Sequence, residues 1–161
     1  MRNAEIDLLV DVRTVPRSRF NPQFNTDTLP TTLAAAGIGY RHIPALGGLR
    51  HRQKGAPPSP NGLWRSEAFQ AYADYALTAP FRVALGELSQ LAEDHRIAIM
   101  CAEAVWWRCH RRIVADYLLA AGEEVQHIMS PGTVERATLT PGAEPCPDGS
   151  ILYPAAQGLL I

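Results

Sequence analysis

The segment that decides the fold is IDLLVDV, Ile6 to Val12. It is short, rich in branched side chains and almost continuously apolar. That composition suits a parallel β-strand covered on both faces. Three further segments read as strands: Gly39 to Ile43, Arg96 to Cys101, and Glu124 to Met129. Between them the period changes. Leu29, Leu33 and Ala36 follow helical spacing, and Gly37 supplies a stop. Ser66 stands where a helix cap belongs, ahead of Glu67-Ala68-Phe69, with Phe69, Tyr72, Ala73 and Leu77 on one face. A helix over about Pro80 to Glu93 carries its proline in the first turn, where it is tolerated. Ile113, Val114, Tyr117, Leu118 and Ala121 form an apolar stripe ended by Gly122.

Alternating strands and helices predict an α/β fold: a single domain with a mostly parallel sheet flanked by helices, a Rossmann-like three-layer arrangement. The reading assigns residues 1–130 to that domain. It assigns residues 131–161 to a C-terminal loop or hairpin extension, with Ile151-Leu152-Tyr153 as a short edge strand. Pro44 to about Gly62 is a long Gly/Pro-rich connection of the kind that serves as a lid or binding loop. No internal repeat is visible.

The chain has 161 residues, 47% of them hydrophobic and 19% charged, enough for one domain with a proper core. No apolar run approaches the roughly 20 residues of a membrane span, and the first residues lack a signal-peptide layout. A cytoplasmic protein without a membrane partner is expected. Three cysteines at irregular spacing argue against a disulfide framework and for reduced thiols. A net charge of −1 does not favour nucleic acid as a general partner.

Charge distribution says more than its sum. Nine of the fifteen basic residues fall in three short segments: Arg13, Arg17, Arg19; Arg50, Arg52, Lys54; and Arg108, Arg111, Arg112. The last three have spacing i, i+3, i+4, which places them on one face of a helix in its first turns. Cations there oppose the helix dipole, and a bound anion offsets this. Internal pairing with Glu103, or of Arg112 with Asp116, is the competing account. Ligands of a parallel sheet bind beyond the carboxyl ends of its strands, where both Asp11–Arg19 and Cys101–Arg112 are expected.

Cys101 follows a strand and precedes an arginine-lined helix start, a setting that favours thiolate. It reads either as a nucleophile, with Glu103 or His110 moving protons, or as an inert packing residue. The spacing from Cys101 to Arg108 is one residue longer than in cysteine phosphatases. The expected ligand contacts are Asp11, Arg13, Arg17, Ser18, Arg19, His42, Trp107, Arg108 and Arg111. Asp11 reads equally as an ion-pair partner of Arg13, and His42 as a satisfied core histidine. Trp106 and Trp107 suit base stacking or packing. Cys101, Cys109 and His110 are weak candidates for a metal, since Cys109 and His110 would leave a helix on different faces. No cofactor is identified. The ligand class is a phosphorylated small molecule, a nucleotide or a nucleic-acid end, and a nucleotide or nucleic-acid binding module that breaks no bond is the alternative to an enzyme.

Four stretches, LVDVRTVPRSRFNPQFN (residues 9–25), GIGYRHIPALGG (37–48), SPNGLWRSEAFQAYADY (59–75) and IMCAEAVWWRCHRRIVADYLLAAG (99–122), resemble the domain of unknown function 488 family. The likeness runs from about Ile6 to Met129. It implies a compact α/β domain and rests on Asp11, Arg13, Pro16, Ser18 and Arg19; His42, Gly47 and Gly48; and Cys101, Glu103, Cys109, His110 and Arg111. It implies no settled reaction. Relative to that family the chain is expected to lack an initial strand and helix, leaving an apolar sheet edge that invites a homodimer.

Overall fold

The computed structural model describes residues 5–52 and 54–155. Leu8–Asp11 forms β1, the middle strand of a three-stranded parallel sheet in the order β2-β1-β3. Its neighbours are β2, Gly39–His42, and β3, Ile97–Met100. The register sets Asp11 beside His42 on one side and Met100 on the other. These three residues mark the carboxyl rim of the sheet, and Cys101 is the next residue out.

Helices cover both faces of the sheet because β1 alternates between two apolar clusters. Leu8, Val10 and Val12 point into the larger one, with Tyr72 and Ala73 of α2 (Glu67–Ala76), Phe81 and Leu88 of α3 (Ala79–Asp94) and Ile113 and Val114 of α4 (Arg111–Ala120). Leu9 points the other way, against Leu29 and Leu33 of α1 (Leu29–Ala34) and Ile38. Burying each such side chain is worth about 1.5–3 kcal/mol. Gly37, at φ 73°, makes the left-handed turn that lets α1 fold back into β2.

The parallel sheet is smaller than the sequence suggests. The segment expected as its next strand forms β4, Gln126–Ser130, but pairs antiparallel with β5, Thr133–Arg136. Pro131-Gly132 explains this. Proline followed by a glycine at φ 80° makes a tight turn that returns the chain at once onto its predecessor. Among the described residues, β3 therefore has no strand partner on its outer side. A groove of about 1030 Å³ runs between β3 and the β4 hairpin, bordered by Ile97, Ile99, Trp106, Arg111 and His127.

The tail forms a second hairpin, β6 (Glu144–Pro145) and β7 (Ile151–Leu152), which packs into the larger cluster. Ile151 and Tyr153 are fully buried there. Two polar side chains in the interior hold this return. Asp116 accepts hydrogen bonds from the Thr140 amide (2.8 Å) and the Tyr153 hydroxyl (2.9 Å), and Asn61 Oδ1 accepts the Tyr153 amide (3.0 Å). No helix among the described residues is long and apolar enough to cross a membrane.

Tyr153→Phe removes one of the two donors to a buried carboxylate. The expected cost is about 1–3 kcal/mol, read as a lower urea midpoint with an unchanged m-value.

Candidate functional site

The rim is built first by Asp11. Its carboxylate is fully buried and accepts from the Arg13 backbone amide (3.0 Å), Arg13 Nε (2.8 Å), Arg13 Nη2 (2.5 Å) and the Tyr40 hydroxyl (2.8 Å). Burial alone would push the Asp11 pKa up. The Arg13 side chain and amide and the Tyr40 hydroxyl outweigh it, and the carboxyl ionises below its ordinary value. Arg13 also donates to the Phe24 carbonyl (2.6 Å), and the Arg13 carbonyl contacts His42 Nε2 (2.8 Å). Arg13 and Asp11 are thus committed to one another, and His42 is a half-buried residue tied to the turn between them.

Beyond β3, Cys101 and Cys109 come together with their sulfurs 2.8 Å apart. Cys101 is half-buried and Cys109 is 2% exposed. Cys109 adopts an extended backbone, φ −127° and ψ 147°, between a single 3-10 turn at Trp106–Arg108 and α4. The arginine face expected along one helix is therefore broken. Arg108 lies outside α4 and is exposed, and Arg112 turns away to Thr140 Oγ1 (2.9 Å) and the Trp64 ring. Arg111 alone reaches the sulfurs. Its amide (3.5 Å) and Nε (3.3 Å) donate to Cys109 Sγ, and its Nη2 donates to the Glu103 carbonyl (2.7 Å). The same extended residue brings His110 Nδ1 to 3.5 Å from Cys109 Sγ, correcting the expectation that the two diverge.

These contacts divide the thiols. A hydrogen bond from Cys101 is the main influence lowering the Cys109 pKa; His110 and the Arg111 amide add to it against the opposing effect of burial. The same hydrogen bond, with burial, raises Cys101. The pair carries one readily lost proton and one tightly held between the sulfurs. Among the described residues, His110 Nε2 is buried without a partner. The tautomer that suits this has its hydrogen on Nδ1, donated to the sulfur, because a buried unpaired N–H is costly.

Gly48 makes room for that histidine: a Cβ there would stand 2.4 Å from His110 Nδ1. At Gly47 a Cβ would stand 2.8 Å from the Thr14 backbone. The start of the long loop is further fixed on α2, where Tyr72 and Tyr75 donate to the Leu46 (2.8 Å) and Ala45 (2.7 Å) carbonyls. Trp106 stacks on His127 at 3.9 Å and 6°, joining the cysteine turn to β4. Burial, then Arg111, lowers the His127 pKa.

A family model, Domain of unknown function DUF488, matches residues 1–118. The chain belongs to the DUF488 family. The match ends inside α4, so the β4 hairpin and the tail lie beyond it. No curated protein and no solved structure matches.

Of the positions expected at the DUF488 site, Cys101, His110 and Arg111 meet, with Glu103 supplying backbone atoms while its side chain is exposed. Asp11, Arg13 and His42 form the neighbouring ion-pair network. Ser18 Oγ accepts the Asn21 amide (3.1 Å), and Arg17 and Arg19 are exposed, Arg17 lying 4.0 Å from Asp27. Trp107 is 45% exposed. Sequence reasoning missed Tyr40, Gly48 as the seat of His110, and the central place of Cys109. Tyr40 was legible in principle: it stands two residues before His42 on the same face of β2.

Ligand atoms of Cys101, Cys109 and His110 lie within 4.8 Å of one another. Two thiolates on a tetrahedral zinc sit about 3.8 Å apart, from bonds of about 2.3 Å. The observed sulfurs are about an ångström closer, and Arg111 already occupies Cys109.

Arg13→Ala strands the Asp11 carboxylate and costs about 3–5 kcal/mol near neutral pH. In the parent, the stabilisation from the lowered Asp11 pKa is present above about pH 4 and fades as pH falls through the folded-state value. In the variant, burial raises that pKa, so acid relieves the loss. The gap between urea midpoints therefore narrows from pH 7 to about pH 4. Gly48→Ala forces the His110 ring aside and costs about 1–3 kcal/mol by the same measurement.

Proposed function

We propose that this protein is a cysteine-dependent enzyme acting on a small anionic substrate at the carboxyl rim of its parallel sheet. The observation that carries the reading is the pair of thiols 2.8 Å apart with the Arg111 guanidinium on the inner one. Cys101, the more accessible sulfur, forms the bond to substrate. As it attacks, the proton between the sulfurs passes to Cys109, which serves as the base. Arg111 and the α4 amide stabilise the charge that Cys109 carries before the transfer. His110 donates to the same sulfur, and Tyr72 packs against its ring at 4.9 Å without adding charge.

The anionic character of the substrate is supported by Arg108 and Arg111, which bracket Cys109, and by the exposed Arg17 and Arg19 of the turn after β1. A phosphorylated or nucleotide-like molecule fits arginine's planar fork, and the exposed face of Trp107 suits stacking of a base. The thiol pair belongs in a reducing compartment such as the cytoplasm. A module that binds the same anion and breaks no bond is the second reading. It is favoured by the low exposure of Cys109, and reactivity separates the two.

Iodoacetamide labelling at about pH 6, followed by peptide mass spectrometry, uses Cys146 as the internal reference thiol. Cys101 is expected to label at least about tenfold faster than Cys146, and inorganic phosphate to slow it. Cys109→Ser lowers the Cys101 rate by about tenfold if Cys109 acts as its base; a rate that rises instead shows that the hydrogen bond to Cys109 only held the Cys101 proton in place. Equal, slow labelling of Cys101 and Cys146 removes the enzyme reading and leaves the binding module.

A further inference from the structure

An anion-directed nucleophile needs one sulfur, and this site holds two in contact. The second is not filler. Cys109 sits where the backbone is pulled out of helical geometry to deliver its side chain to Cys101. The sulfurs differ in access: Cys101 is half-buried at the rim, and Cys109 lies behind it at 2% exposure. A disulfide bond spans about 2.05 Å, so the sulfurs stand under about 1 Å from bonding distance. The seven residues between them contain one 3-10 turn and no strand, and Cys101 leaves the end of β3. Nothing in the sheet ladder has to break for the bond to close. Arg111 and the first amide of α4 contact the inner sulfur only, which stabilises the reduced pair and makes a disulfide formed there easy to reduce.

We propose that Cys101 and Cys109 are a dithiol–disulfide couple that exchanges reversibly with low-molecular-weight disulfides, with Cys101 as the attacking sulfur and Cys109 as the resolving sulfur. This rests on the reading of Cys101 as a nucleophile and adds to its anionic substrates an anionic disulfide such as oxidised glutathione. The Cys101 thiolate, its proton passed to Cys109, attacks one sulfur of a disulfide RSSR. A Cys101–SR bond forms, the S–S bond of the substrate breaks and RS⁻ leaves. Cys109 then gives up its proton to solvent or to that leaving thiolate and attacks Cys101 Sγ. The Cys101–Cys109 bond forms and the second RS⁻ leaves, to be protonated by water. Two electrons pass from the protein to the disulfide, which becomes two thiols. The reverse sequence, with two thiols of a reductant such as glutathione, restores the pair. Arg111 is a positioning residue in this cycle, since it touches Cys109 and not the substrate bond.

The test uses the full chain, reduced and freed of reductant without oxygen, then given a series of reduced and oxidised glutathione mixtures and quenched in acid. Peptide mass spectrometry should find a Cys101–Cys109 disulfide, with Cys146 outside it, that rises with the oxidised fraction and reverses when excess reduced glutathione is restored. Cys109→Ser should stop at the mixed disulfide and hold glutathione on Cys101 in preference to Cys146. Arg111→Gln should shift the ratio at half-oxidation towards the disulfide by about tenfold. The inference is overturned if all three thiols take up glutathione at similar rates and no internal bond appears in the parent chain, a measurement that does not depend on any variant folding. Fast alkylation of Cys101 together with that negative result would leave the cysteine enzyme standing and remove the disulfide substrate. Slow alkylation with the same negative result would remove both.

Discussion

A carboxylate and a guanidinium buried together at the end of the central strand set the geometry of the rim. Asp11 is 0% and Arg13 8% exposed, and their pairing is tolerated in the interior because every strong hydrogen-bonding direction of the carboxylate is filled. The turn after β1 is held by Arg13 reaching the Phe24 carbonyl, and β2 is tied to it through Tyr40 and His42. Because parallel register carries Asp11 level with Met100, the same pair fixes where β3 stops and the cysteine turn begins. Cys101 stands where it does because β1 ends where it does.

The cysteine turn depends on a second constraint, that of space. Gly47 lets the long loop press against Thr14, and Gly48 lets it press against His110. The loop so held, with Tyr72 and Tyr75 of α2 reaching its carbonyls, closes one side of the histidine ring while α2 closes another. The result is an imidazole with one nitrogen committed to a sulfur and the other enclosed. Its contribution is to the charge on Cys109.

Much of the frame was legible from residue pattern. The branched run at Leu8–Asp11 declared a strand covered on both faces, and the Ile113–Leu118 stripe declared a helix with one buried side, because burial writes itself into local period. The β4 hairpin was not foreseen as a separate sheet. Strand propensity in Gln126–Ser130 is the same whichever neighbour it finds, and Pro131-Gly132 decides the neighbour. The site was legible in membership more than in arrangement. Whether Arg13 serves a ligand or Asp11, and whether Arg112 faces an anion or Thr140, are long-range choices made over a few ångströms that spacing does not encode. Cys109 was hidden for a more specific reason: helical numbering was carried back past residue 111, and a single extended residue invalidates it.

One contact gives the molecule an optical handle. The indole of Trp106 lies flat on the His127 imidazole, and its ring nitrogen is buried without a partner. It belongs to the turn that links the two cysteines, while His127 belongs to the hairpin across the groove. A rearrangement of that turn that moved Trp106 relative to His127 would change this stacking, and an indole's emission responds to its distance from a neighbouring imidazole. Trp106 is thus a natural fluorophore seated between the cysteine turn and the hairpin.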